Sequence, residues 1–106
     1  MIAHLLVMYP PPKDRLAFER AYREEHLPYA GPRLKGATSV VSKRVASANG
    51  ARSPYHAISD VSFPSLEVLQ ACAASQSGKE ALAHAASIST GGPPDIMILT
   101  DDLAAS

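Results

Sequence analysis

The chain has a single cysteine, Cys72, so it cannot close an internal disulfide, and it has no Cys/His cluster at zinc-site spacing. It therefore needs neither an oxidising compartment nor a structural metal. It also lacks a basic tract. Its 10 Lys and Arg balance 10 Asp and Glu, which removes the electrostatic footprint that tracks phosphates, and no nucleic acid partner is expected. No apolar run approaches the ~20 residues of a membrane helix. The longest, Leu5 to Met8 with Ile2 and Ala3 before it, stops at Pro10-Pro11-Pro12, and no cationic stretch precedes it as in a secretory leader. Membrane insertion and export are not expected; the simplest address is the cytoplasm.

What is present fits one domain over residues 1–106, long enough for its own core and too short for two. Ile2 to Tyr9 reads as a strand, with Ala3, Leu5, Val7 and Tyr9 on one face and Ile2, His4, Leu6 and Met8 on the other. Both faces are apolar, which predicts cover on both sides. Ala37 to Val45 reads as a second, more exposed strand, Asn49-Gly50 as a hairpin signal, and about Tyr55 to Phe63 as a third strand. Ser65 is a plausible cap for a helix that Gly78 ends, after which Lys79 to Ser87 is helical again. Gly91-Gly92-Pro93-Pro94 is a turn, since no Lys-Ser pair or opening helix makes it a phosphate loop. Ile96 to Leu99 is a short apolar last strand.

The most informative stretch runs from Asp14 to Tyr29. Asp14 suits a helix N-cap, and Pro28 predicts that the helix stops at or just after His26. Steps of ~100° put Phe18, Ala21 and Tyr22 on an apolar arc, with Glu25 beneath it and His26 at its border, and Glu19, Arg20, Arg23 and Glu24 opposite. Glu19 and Arg23 have the favourable i,i+4 order. The element order is strand, helix, strand, strand, helix, strand. It predicts an α+β ferredoxin-like βαββαβ fold with a four-stranded antiparallel sheet and both helices on one face. The bare face would be covered by a second copy, giving a barrel-like homodimer.

The pattern Phe18-Glu-Arg-Ala-Tyr22-Arg-Glu-Glu-His26-Leu-Pro28 resembles the EthD family, named after a protein of ethyl tert-butyl ether degradation. So do Tyr9-Pro10, Tyr55-His56-Ala57 and Phe63-Pro-Ser-Leu66-Glu-Val-Leu69, and the likeness runs from about Ile2 to Asp101. That resemblance implies a dimeric α+β barrel with a small-molecule cavity between helices and sheet in each subunit. Relatives in that superfamily include monooxygenases, polyketide cyclases, muconolactone isomerases and haem-degrading enzymes. Fold transfers across such a range better than reaction does.

His26 is the candidate catalytic residue. A helix C-terminus favours its cation and an apolar seam its neutral form, and a group balanced between the two can move protons near neutrality. The plainer alternative is a histidine that caps carbonyls and packs on Tyr22. Tyr9, Tyr22 and Tyr29, with Phe18, are the candidate substrate-binding residues, because phenols join apolar area to one polar handle; ordinary core is the competing reading. Glu25 could pair with His26 or simply be solvated. His4 and His56 read as satisfied structural histidines, Cys72 as a buried inert thiol, and His84 receives no role. The expected function is cofactor-independent isomerase, cyclase or monooxygenase-like chemistry on a small hydrophobic, oxygenated compound of a catabolic or secondary-metabolite pathway, with His26 as acid/base. Two alternatives stay open: a non-catalytic ligand-binding or accessory protein of the ether-degradation type, and a dimerisation module with a filled core.

Overall fold

The computed structural model describes residues 1–103. Strand β1 (Ala3–Tyr9) is paired on both sides. It runs antiparallel to β3 (Ala57–Phe63) from Ala3–Phe63 to Tyr9–Ala57, and antiparallel to β4 (Asp95–Thr100) from Ala3–Thr100 to Met8–Asp95. Strand β2 (Ser39–Arg44) adds to the free edge of β3, so the sheet order is β2-β3-β1-β4. This is the expected ferredoxin-like α+β arrangement. No helix among the described residues is long and apolar enough to cross a membrane.

The alternation of β1 divides the sheet into two unlike faces. Ala3, Leu5, Val7 and Tyr9 are at most 5% exposed and pack under the helices. One cluster joins Ala3 and Leu5 to Val61, Phe63, Leu69 and Cys72; the other joins Val7 and Tyr9 to Phe18 and Ala85. The opposite face carries His4, Leu6 and Met8 opposite Ser62, Asp60 and Ile58 on one side, and Leu99, Met97 and Asp95 on the other. Met8 is buried there by its neighbours, whereas Val41, Met97 and Leu99 stay 41–48% exposed. The bare face expected to be covered by a second copy is thus left uncovered by the other described elements of this chain. Strand β4 is an edge strand beyond the reach of the helices, and Ile96 and Ile98 on its helix-side face are also exposed.

Helix α1 (Arg15–Ala21) begins as expected, the Asp14 carboxylate accepting the Ala17 N–H at 3.1 Å. It does not stop at His26. A π-helical segment spans Tyr22–His26, closed by the Leu27 N–H donating to the Tyr22 carbonyl, and α2 (Leu27–Ala30) and a 3₁₀ turn (Gly31–Arg33) continue the coil. A five-residue ring leaves one carbonyl without its usual amide, so Pro28, which has no N–H to give, is accommodated instead of ending the helix. The extra residue also rotates everything after Tyr22 by about 100° relative to a regular helix. Hence His26 is buried where Glu25 was expected, and Glu25 is exposed.

Ser65 caps α3 (Leu66–Ala74), accepting from the Val68 N–H at 3.2 Å. The coil then breaks at Ser75 rather than at Gly78. Ser75 is extended, ends α3 and caps α4 (Gln76–Ile88) by accepting from the Gly78 N–H at 3.0 Å. Gly78 is required for a different reason: a Cβ there would overlap the Cys72 carbonyl, so glycine lets the two helices meet at this corner. Between β2 and β3 the chain makes a long loop, 45–56, in place of a tight hairpin. The Asn49 side chain accepts the Ala51 N–H at 3.0 Å around Gly50, whose φ is +82°.

Candidate functional site

His26 leaves the π-helical segment into the layer between helices and sheet and is 6% exposed. Its Nε2 lies 3.4 Å from the Tyr9 hydroxyl, and its Nδ1 lies 2.9 Å from Nδ1 of His84 on α4. The two imidazoles are nearly parallel, 9° apart with centroids at 5.2 Å. Tyr29 stacks on the far side of His84 at 4.5 Å, and the Arg33 guanidinium carbon sits 3.6 Å over the Tyr29 ring. Burial, and then the charge of His84, lowers the His26 pKa to about 4, so the ring is neutral at physiological pH. The dipole contribution expected in opposition is weak because the coil continues to Arg33, which moves the negative helix end away from His26.

Two Nδ1 atoms in contact cannot both donate. If the Tyr9 hydroxyl donates to His26 Nε2, His26 carries its proton on Nδ1 and donates to His84; in the reverse arrangement His84 donates and His26 Nε2–H points to the Tyr9 oxygen. The pair can thus pass one proton between the sheet side and the half-exposed His84. Burial also raises the Tyr9 pKa, which keeps the phenol protonated and a donor.

Phe18, Tyr9 and Tyr22 form an aromatic triangle, with centroids 5.1 Å apart for Tyr9 and Phe18, 5.8 Å for Tyr9 and Tyr22, and 6.1 Å for Phe18 and Tyr22. Tyr22 touches the His26 ring at 5.6 Å, and its hydroxyl bridges Ser42 and Ser59, each at 2.6 Å. Tyr29 lies outside this group, one turn further along, against His84. The space beside His26 is a hollow of about 30 Å³ edged by Leu27, Ser59 and Leu82, room for a water or two. Next to it, beyond Leu27 and the Tyr22 bridge, a pocket of about 290 Å³ opens between the π-helical segment and β2. Its floor is Phe18, Tyr22, Leu27 and Ala57, and Ile58 of the outer sheet face lies at its edge. A third hollow, about 440 Å³, lies between α1 and α4 and reaches His84 and Glu25.

The remaining polar side chains are mostly paired. Glu19 does not bond Arg23. It accepts from Arg44 at 2.8 and 3.1 Å and contacts His56 Nε2 at 2.8 Å, and those hydrogen bonds, Arg44 first, hold its carboxyl down at about 2. Arg20 pairs with Glu24 at 2.8 Å. On the outer sheet face His4 contacts Asp60 at 2.8 Å, and Lys43 reaches the same carboxylate at 3.4 Å. His4 and His56 are satisfied by carboxylates, in line with the structural reading. Cys72 is buried, and burial raises its pKa. The residue overlooked was His84. Its signal is the run Ala81, Ala85 and Ala86 around it: small residues on a helix let a facing helix come close enough for His84 to meet His26.

The layering and sheet order define the class first: a ferredoxin-like α+β protein. No family model and no curated protein matches the chain. Among solved structures it is similar to an EthD family protein from Bacillus halodurans, at 22% identity over 95% of this chain and 99% of that one, with a TM-score of 0.80. It is also similar to an EthD-like protein from Ralstonia eutropha, at 23% identity over 99% and 96% of the two chains, TM-score 0.70. A dimeric ferredoxin-like protein of unknown function from Jannaschia sp. matches at 18% identity over 94% and 99%, TM-score 0.67. The resemblance read from the residues is thus repeated at the level of fold. The chemistry has to come from the site.

Proposed function

We propose that this protein is a small-molecule enzyme that moves a proton on a hydrophobic, oxygen-bearing substrate, with His26 as the general base and no cofactor needed for the step. One observation carries the reading: a buried, neutral imidazole has a phenol on one nitrogen and a second imidazole on the other. A C–H beside a carbonyl gives its proton to His26 Nε2, and its bonding electrons pass into the enolate. The Tyr22 hydroxyl, released from Ser42, donates to the enolate oxygen. His26 hands its Nδ1 proton to His84 and takes it back when the carbon skeleton is reprotonated, so isomerisation balances without any redox partner. The substrate enters through the 290 Å³ pocket and displaces Leu27, the Tyr22–Ser42 bond and the long 3.4 Å contact of the Tyr9 hydroxyl with His26 Nε2, which frees that nitrogen for the C–H proton.

Hydrogen–deuterium exchange at the α-carbon of a panel of cyclic β-dicarbonyl and aryl ketone probes, followed by NMR in D₂O, tests this without the natural substrate. Protein-dependent exchange that falls at least ~100-fold in His26→Gln is expected, on the usual scale of a general base. Equal exchange in both proteins sinks the role of His26. The pocket's separation from His26 supports one rival, a ligand-binding protein that leaves its ligand unchanged; that rival predicts binding of the same probes with no exchange.

We further propose that two copies pair through the outer sheet face. Val41, Met97 and Leu99 with Leu6 and Ile58 make an apolar surface around the His4–Asp60–Lys43 network, and one solved neighbour is described as dimeric. Light scattering should give twice the 11.2 kDa chain mass, and Met97→Asp should return it to one. The cytoplasm remains the compartment we propose.

A further inference from the structure

The 290 Å³ pocket has an unequal rim. Three cations line it, Arg23, Lys43 and Arg44, against one carboxylate, Glu19. Glu19 is used twice over, by Arg44 and by His56, and Lys43 is 3.4 Å from Asp60. Among the described residues Arg23 makes no ion pair and no side-chain hydrogen bond. It follows Tyr22 directly in the π-helical segment, so one turn supplies both an aromatic wall and an unengaged guanidinium. Below that rim the floor is Phe18, Tyr22, Leu27 and Ala57, with no charge.

We infer that this pocket takes a small amphipathic carboxylate, its acid group on the Arg23 fork and its hydrocarbon body on the aromatic and aliphatic floor. A guanidinium presents parallel N–H donors that match a carboxylate, and partial desolvation by the ligand body strengthens the contact. A neutral ligand of the same shape would bury the floor and leave Arg23 unanswered. The volume equals about ten waters, which admits a ring with a short substituent. Orientation follows. With the acid at the rim, the far end of the molecule lies against Tyr22, Leu27 and Ser42, the side facing His26, so reaction occurs at a carbon remote from the carboxylate. The inference deepens the proposed function by naming the substrate class of the same site.

Its test compares 4-alkylbenzoates with the matching primary benzamides, by calorimetry or ligand-observed NMR, on the full chain. The acid should bind at least tenfold more tightly than its amide in the wild type. Arg23→Gln should erase that preference, whereas Arg20→Gln, on the same helix and outside the pocket, should keep it. Equal affinity of acid and amide in the wild type overturns the inference. So does a preference that survives Arg23→Gln, or one that falls equally in both variants and so reports only the surface field. Acid binding to His26→Gln separates the two proposals. Arg23-dependent binding together with exchange that ignores His26 removes the proton-transfer role and leaves the carboxylate site. Exchange that needs His26, with no Arg23-dependent preference, does the reverse.

Discussion

His26 and His56 border the same aromatic cluster, His26 through Tyr22 and His56 edge-on to Phe18 at 5.9 Å, yet their surroundings are opposite. His56 rests on Glu19, which Arg44 also holds, so a proton on His56 meets a carboxylate 2.8 Å away. His26 has no carboxylate partner, only the Tyr9 phenol and the His84 ring. The first arrangement ties the entrance of β3 to α1 and β2 and tolerates charge. The second makes charge costly and leaves both ring nitrogens engaged in a chain along which a proton can travel. The same residue type is thus held in an ion-pair network at one side of Phe18 and left without a counter-charge at the other, and the difference is one carboxylate.

The largest expected effect breaks that contrast directly. His26→Gln should cut α-carbon exchange by about 10²–10⁴-fold with the NMR spectrum of the fold preserved, while His56→Gln should stay within a few-fold of wild type. A His56 variant that fell as far as the His26 variant would move the site to the wrong histidine.

Next in size is stability against pH. His26 titrates near 6.5 when unfolded and about 4 when folded, so above 6.5 both states are neutral and it has no effect. As pH falls from 6.5 to about 4 the unfolded chain takes up a proton that the fold refuses, and stability drops by up to about 3 kcal/mol. Urea unfolding at pH 7 and pH 4.5 should show this drop in wild type and a smaller one in His26→Gln. Glu19 works in a lower window: its folded pKa is depressed to about 2, so its contribution is complete above about 4.5 and is lost as pH falls toward 2. Glu19→Gln should remove that lower limb alone.

Tyr22→Phe, which deletes the bridge to Ser42 and Ser59, should cost about 1 kcal/mol of stability by thermal unfolding and ease access to the inner hollow. Arg20→Gln should be nearly silent, at about 0.3–0.5 kcal/mol, because its pair with Glu24 is an exposed i,i+4 contact.

Much of this molecule could be read before any coordinates. Alternation marked β1, proline and glycine marked the loops, and Asp14 and Ser65 cap the helices they were expected to cap. Those are local rules, satisfied within a few residues. What escaped depends on pairing at a distance. Gly78 looked like a terminator and is instead a contact point between α3 and α4. Tyr29 looked like a third phenol of one group and lies against His84, because the coil runs on past Pro28. His84 itself is 58 residues from His26 in sequence, and only the closeness of two helices over alanines brings them together. The phase error at Glu25 has one cause, since a steady 100° step cannot register a single residue added to one turn.

That added residue makes the identity of the buried group a matter of helical phase. Deleting one position between Tyr22 and His26 would remove the wide turn and its extra residue together, so the imidazole would keep its direction in an ordinary coil. Closing the wide turn with every residue kept would instead swing it by about 100° and bring Glu25 round toward the phenols. The wide turn therefore decides whether a nitrogen base or an acid fills the cleft, with strands, caps and core left as they are.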